Sequence, residues 1–228
     1  MISIAIDGPS GAGKSTISRK AAELFGFIYV DTGAIYRTIG LAAHRRGIDT
    51  KNAEAVVAIL PGLDIALEYG ADGAQRMMLG GEDVSRDIRL PEISMCASDV
   101  SAIPEVRAYL VDMQRSMAKK HDVIMDGRDI GTVILPNAQL KIFLTASTED
   151  RAQRRFAELN EKGVKASFDD VLREMAARDK QDSERAAAPL RPAEDAVTLD
   201  TTGNSLEESV AAVCKLITER TGAKPAEK

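Results

Sequence analysis

The chain has 228 residues, 44% hydrophobic and 29% charged, with a formal net charge of −5. This is the composition of an ordinary soluble globular protein, long enough for one domain with insertions or two small ones, and its acidity argues against a general nucleic-acid binder. No apolar run approaches the roughly 20 residues of a membrane span, and the N-terminus lacks the basic region, apolar core and cleavage site of a secretory leader, so a cytoplasmic chain is expected.

The chain opens with Ile2, Ile4, Ala5 and Ile6, the apolar run of a short buried strand. From Gly8 through Pro9, Ser10, Gly11, Ala12, Gly13 and Lys14 to Ser15 it then fills the template G-x-x-x-x-G-K-S/T of a phosphate-binding loop, with Thr16 opening a helix to Phe25. Such a loop turns successive N–H groups toward one point, and the following helix adds the positive end of its dipole. Lys14 is placed to reach the β- and γ-phosphates, and the Ser15 hydroxyl to ligate Mg²⁺. Side chains at Gly8, Gly11 and Gly13 would block a phosphate's approach. The spacing therefore predicts binding of a nucleoside triphosphate.

Phe27–Val30 reads as a second strand ended by Asp31, and Thr32-Gly33-Ala34-Ile35-Tyr36-Arg37 leads into a helix through about Arg46. Polar groups at a strand's carboxyl end are where α/β proteins place ligand-binding residues, although Thr32 also suits a helix N-cap and Arg37 a solvated helix face. Asn52–Leu60 is predicted helical. Leu63, Ile65 and Leu67 then alternate with polar residues, Tyr69-Gly70-Ala71-Asp72-Gly73 marks a turn, Arg76–Leu79 returns, and 80–84 adds a short third strand. That antiparallel patch reads as an insertion carried by a parallel sheet.

Pro91–Ala102 and a helix opening at Pro104 follow, the latter with Val106, Leu110, Met113 and Met117 on its inner face. Asp122–Asp126 is a buried strand ending in an acid before Gly127-Arg128-Asp129-Ile130-Gly131-Thr132, and Leu140–Leu144 is another. Ser147 and Ser167 mark helix starts near Thr148 and Phe168, with Arg151, Arg154 and Arg155 on the first helix and Arg178, Asp179, Asp182 and Arg185 on the second. Val197–Leu199 is a last strand, Ser205 and Glu208 form a capping box for a terminal helix to about Arg220, and 222–228 reads as a frayed tail. Cys96 and Cys214 are isolated and read as buried free thiols; His44 and His121 lack metal-ligand spacing and read as surface residues.

Five short buried strands alternating with helices, with the phosphate loop after the first, predict an α/β fold on a parallel sheet. No N-K-x-D guanine-reading motif follows any strand. Arginines are instead concentrated after strands and on the two late helices, among them Arg37, Arg107, Arg128, Arg151, Arg154, Arg155, Arg178 and Arg185. Phosphoryl transfer asks for positioning and charge neutralisation, and an acceptor that is itself a phosphate asks for more guanidiniums than a hydrolase needs. A phosphate acceptor is the better inference.

The segments GPSGAGKST, DTGAIYR, GEDVS, DGRDIGTV, KIFL and R-D-x-x-D-S-x-R resemble those of the bacterial cytidylate kinases, a family of nucleoside monophosphate kinases, and the likeness runs from Ile2 to about Arg220. The resemblance implies transfer from ATP to CMP or dCMP with Mg²⁺. It implies a single P-loop kinase domain: a core of 1–30, 119–147 and 190–220, a monophosphate-binding region with the three-stranded insertion at 31–118, and a helical lid at 148–189. It places Thr32 and Arg37 beside the acceptor nucleotide, with Arg37 on its phosphate; many relatives carry serine where Thr32 stands, and the hydroxyl is kept. It matches Ser98, Arg107 and Asp129 to cytosine reading, Arg128 to a phosphate ligand, Asp182 to a sugar hydroxyl, and Arg178 and Arg185 to charges closing on the phosphates, with Arg151, Arg154 and Arg155 in the lid. A monomer acting on small nucleotides, with neither nucleic-acid polymer nor membrane as partner, is the family expectation. Asp126 at a strand end suits the Mg²⁺ shell or a helix cap, and Asp129 suits either the cytosine amino group or a neighbouring arginine. Another small-molecule P-loop kinase, acting on a different monophosphate or on dephospho-coenzyme A, and a nucleotide-switched binding module are the competing readings.

Overall fold

The computed structural model describes residues 1–70, 75–161 and 163–226, and the chain divides into two compact units. Unit 1 comprises Met1–Tyr29 and Ala118–Lys228, and unit 2 comprises Val30–Met117.

Unit 1 is built on β1 (Ser3–Asp7), which pairs in parallel with β6 (Val123–Gly127) on one side and β7 (Leu140–Thr145) on the other. β8 (Val197–Asp200) adds to β7 in parallel, and β2 (Ile28–Asp31) borders β6, giving the order β2-β6-β1-β7-β8. A strand with neighbours on both edges and cover on both faces reads as an apolar run, and Ile4, Ala5 and Ile6 are fully buried. α1 (Lys14–Phe25) turns Ile17, Ala21, Ala22 and Phe25 inward, and α8 (Leu206–Thr221) turns Val210, Val213 and Ile217 inward. Both pack on the side chains of Ile4, Ile6, Ile142 and Leu144. Both halves of the Ser205–Glu208 capping box are formed. α1 begins two residues before the predicted Thr16, because Gly13 in the left-handed region (φ 82°) already caps it. In the predicted tail at 222–228 the Ala226 N–H donates to the Leu24 carbonyl at 2.8 Å, and 227–228 lie outside the described residues.

α6 (Thr148–Glu161) and α7 (Phe168–Glu184), the predicted lid helices, share a small core of Ala152, Leu159, Val171 and Met175, with Phe156 edge-on to Phe168. Ser147 and Ser167 accept from the N–H groups of Asp150 and Asp170 at 3.1 Å each, as the spacing predicted.

Unit 2 holds α2 (Thr32–Arg45), α3 (Ala53–Ile59), α4 (Pro91–Ser101) and most of α5 (Pro104–Lys120). Its hairpin β3 (Ile65–Tyr69) and β4 (Gln75–Leu79) is antiparallel, and β5 (Glu82–Asp83) completes the expected three-stranded insertion. The predicted turn residues Ala71–Gly73 lie outside the described residues. The pattern of inward residues yields a core of Ile35, Ile39, Val56, Met77, Ile88, Ile93, Val106 and Leu110. On α5 the predicted stripe weakens along its length: Val106 and Leu110 are buried, whereas Met113 and Met117 are half-buried and the polar Arg107 and Gln114 are buried instead. Cys96 and Cys214 are free but half-buried rather than buried, and His44 and His121 are exposed.

Leu110 is fully buried in the unit 2 core. Leu110→Ala is expected to cost about 2–5 kcal/mol of stability, read as a lower urea midpoint with the slope unchanged.

Candidate active site

The phosphate loop leaves the centre of the unit 1 sheet. Gly8 has φ 151°, and a Cβ there would fall 1.9 Å from the Leu144 carbonyl oxygen, so β7 itself forbids a side chain at this point. That close approach explains Gly8 without reference to any phosphate. At the other end of the loop Lys14 folds back, its ammonium donating to the Pro9 carbonyl at 2.7 Å. Burial and the neighbouring Arg128 charge pull Lys14 down to about 7, against the opposing pull of Asp126, Asp182 and Asp7. The Ser15 hydroxyl donates to Asp126 Oδ2 at 2.9 Å, and the Tyr29 hydroxyl donates to Asp126 Oδ1 at 3.0 Å. Asp126, at the penultimate position of β6, is thus tied to the loop and caps no helix.

Past β6 the expected loop is a single π-helical turn, Ile130–Ile134. Arg128 and Asp129 stand just before it. Arg128 Nε donates to Asp182 Oδ2 at 2.7 Å, and an Arg185 terminal nitrogen lies 3.7 Å from Asp129 Oδ1, with both of the latter side chains 5% exposed. Burial pushes the Asp182 carboxyl up, but Arg128, Arg178 and Arg185 together outweigh it and hold the group below the usual carboxylate range. The structure therefore brings together Arg128, Asp129, Arg178, Asp182 and Arg185, all expected from the sequence. It also realises the plainer alternative for Asp129, a guanidinium neighbour.

The three arginines expected in the lid all lie on α6, each with different partners. Arg151 is 3% exposed and fully committed to the protein: it donates to the Ala146 and Ser10 carbonyls at 2.9 and 3.0 Å, to Thr148 Oγ1 at 2.9 Å and to Asp179 at 2.7 Å. It joins the phosphate loop to α6 and α7. Arg154 donates to the Thr201 carbonyl at 2.8 Å and pairs with Asp150 at 2.5 Å. Arg155 pairs with Glu158 at 3.1 Å on the partly exposed side of α6.

In unit 2 the cap of α2 is Asp31, not Thr32: Asp31 Oδ1 accepts from Ala34 N–H at 2.9 Å, while Thr32 is a buried residue of the first turn. Asp31 Oδ2 holds an Arg37 terminal nitrogen at 2.8 Å, with Arg89 at 3.7 Å. Despite the cost of burial, these two guanidiniums keep the Asp31 carboxyl below its ordinary range. Arg107, 7% exposed, lies 5.5 Å over the Tyr36 ring and donates to the Ser101 carbonyl at 3.1 Å. Ser101 in turn donates to the carbonyl of Ser98, whose own buried hydroxyl has no hydrogen-bond partner among the described residues.

The family model for cytidylate kinase matches residues 4–219. The chain belongs to the cytidylate kinase family. It is 53% identical over 215 residues to a cytidylate kinase from Caldicellulosiruptor bescii, covering 94% of this chain and 95% of the relative. It is 49% identical over 220 residues to one from Caldanaerobacter subterraneus, covering 96% of each. A crystal structure of an uncharacterised protein from Eubacterium ventriosum shares the fold, with TM-score 0.54 at 12% identity and coverage of 96% of this chain and 100% of the other. Among the described residues no helix is long and apolar enough to cross a membrane.

Two further residues of this cytidylate kinase family member escaped the reading of its sequence. Asp7 closes β1 directly before Gly8 and is 4% exposed; the only signal was an acid ending an otherwise apolar strand. Arg89 gave none, being one of many surface arginines.

The low Lys14 value carries a consequence. Above about pH 7 the amine is largely neutral, and a triphosphate held beside it would restore its charge. Triphosphate binding at pH 8 is therefore expected to take up close to one proton, and at pH 6 almost none. Calorimetry in buffers of different ionisation enthalpy measures this, and Lys14→Met should abolish the uptake.

Proposed function

We propose that this chain transfers the γ-phosphoryl group of ATP to CMP or dCMP, giving ADP and CDP or dCDP. The observation that carries the reading is the cluster at the end of β6, where Arg128, Arg178 and Arg185 stand with the two carboxylates Asp182 and Asp129. Three guanidiniums to two carboxylates leave a surplus of positive charge, which the approach of two phosphates requires. An oxygen of the acceptor phosphate attacks the γ-phosphorus, and the bond to the β–γ bridging oxygen breaks. The acceptor is already deprotonated at neutral pH, so no general base is needed. Lys14 neutralises β- and γ-oxygens while the loop N–H groups hold them in line.

The pairing of the Ser15 hydroxyl with Asp126 sets two hard oxygens side by side, a donor set that fits Mg²⁺, which favours few protein ligands plus phosphate oxygens and water. When bound, the ion would neutralise charge on the β- and γ-phosphates. On the acceptor side Arg37, Arg107 and Ser98 belong to unit 2 and Arg128, Asp129, Asp182 and Arg185 to unit 1. Arg37 and Arg128 take the acceptor phosphate, Thr32 lies beside the nucleotide, Asp182 takes a sugar hydroxyl, and Ser98, Arg107 and Asp129 read cytosine. The orphaned Ser98 hydroxyl supports such a role. Arg154 and Arg155 serve the donor phosphates only by exchanging their present partners. The protein acts as a cytoplasmic monomer.

An ADP-release assay across CMP, dCMP, UMP, AMP and dephospho-coenzyme A tests the reading, with turnover highest for the cytidine nucleotides; a different best acceptor sinks it. Lys14→Ala should abolish transfer and leave the far-UV circular dichroism unchanged. Asp129→Asn should narrow the preference for CMP over UMP, because a carboxylate accepts from the cytosine amino group and repels the uracil carbonyl, whereas an amide can donate to it. A lost polar pairing of this kind costs roughly 1–3 kcal/mol, so the ratio of kcat/KM should fall by about one to two orders of magnitude.

A further inference from the structure

We propose that Asp7 is a positioning residue for the acceptor side of the reaction: the last residue of the strand that delivers the phosphate loop also sets the orientation of Arg128 and Asp129. The inference rests on the function proposed above and adds a residue that touches neither nucleotide.

Asp7 holds the neighbouring segment in two places. Its backbone stands opposite Gly127 in the parallel ladder of β1 and β6. Its carboxylate reaches three residues further along the same segment, Oδ1 accepting from Ile130 N–H and Oδ2 from Gly131 N–H, each at 2.7 Å. Arg128 and Asp129 are the two residues suspended between these anchor points. Ile130 and Gly131 open the π-helical turn, and N–H groups at the start of a helical turn have no partner within it. One carboxylate supplies both acceptors. An asparagine of the same shape would supply one and turn an N–H₂ group toward the other donor.

The fit is tight on the opposite side as well. A Cβ on Gly131 would lie 3.3 Å from Asp7 Oδ2 and 3.1 Å from Lys141 Cδ, so a methyl group there would press on the carboxylate and on the Lys141 side chain. The charge is kept despite its surroundings: burial pushes Asp7 up to about 6, the two N–H groups pull it back, Asp129 opposes it and Lys14 favours it. Among the described residues Asp7 makes no side-chain hydrogen bond to the phosphate loop that follows it, while Lys14 has its own anchor at Pro9. Loosening the clamp therefore tilts Arg128 away from Asp182 and Asp129 away from Arg185, while the donor loop keeps its backbone anchor; only loss of the Asp7 charge also reaches Lys14.

The test measures Asp7→Asn and, separately, Gly131→Ala, which disturbs the same contact from its other partner. Both are expected to lower kcat/KM for CMP by about 10- to 100-fold through a raised KM, and to narrow the CMP/UMP ratio, because small displacements of positioned groups cost that much. In Gly131→Ala, which keeps the Asp7 charge beside Lys14, KM for ATP should stay within about twofold, since uniform loss of fold or of donor binding would move it as well. A shared rise of both KM values in Gly131→Ala, or an unchanged CMP/UMP ratio in both variants, overturns the positioning role. The wild-type acceptor panel keeps this separate from the functional reading, which fails if the unmodified protein ignores CMP.

Discussion

Buried charge is the constraint on which the active-site half of this molecule depends. Asp7, Lys14, Asp126, Asp129, Arg151 and Asp182 are all less than a tenth exposed, and an isolated charge in such surroundings costs far more than a folded chain can spare. Each is therefore held by a partner: Asp7 by two backbone N–H groups, Lys14 by a carbonyl, Asp126 by two hydroxyls, Asp182 by Arg128. β1 makes this possible. It sits between β6 and β7, so the residues leaving the carboxyl ends of three adjacent strands arrive together, and their charges can answer one another over hydrogen-bond distances.

Much of that arrangement was legible in the sequence, for identifiable reasons. Strand runs such as Ile4–Ile6 and Val123–Met125 are apolar because both faces are covered, and the spacing of Gly8, Gly13, Lys14 and Ser15 follows a backbone geometry that few sequences satisfy. Ser205 with Glu208 announced a helix start through a local bond. What stayed hidden depends on contacts remote in sequence. The reason for Gly8 is a carbonyl 136 positions away at Leu144, and the carboxylate of Asp7 meets Ile130 and Gly131 only once β1 and β6 lie side by side. At Thr32 two capping residues stood adjacent, and the choice fell to Asp31 because its second oxygen also holds Arg37.

The arginines show the same limit from another side. A guanidinium offers five N–H donors in a fixed fork, as apt for backbone carbonyls as for phosphate oxygens, so composition cannot sort one use from the other. Arg151, Arg154 and Arg155 follow one another on α6, yet the first is a strut joining Ser10, Ala146 and Asp179, the second ties α6 to Thr201, and the third pairs with its own helix neighbour Glu158. The arginines near β6 face Asp182 and Asp129 instead.

Those carboxylates also orient the guanidiniums that they face. A free arginine samples many rotamers, and fixing it at the moment of binding costs roughly 0.5–1.5 kcal/mol per side chain. Asp31 already fixes Arg37 in unit 2, and Asp182 already fixes Arg128 in unit 1. Neither carboxylate cancels the charge around it: Asp31 faces Arg37 and Arg89, and Asp182 faces Arg128, Arg178 and Arg185. Each unit thus holds its guanidiniums in place by its own internal pair while keeping a surplus of positive charge. On the function proposed above, the acceptor phosphate would meet guanidiniums that Asp31 and Asp182 have already oriented.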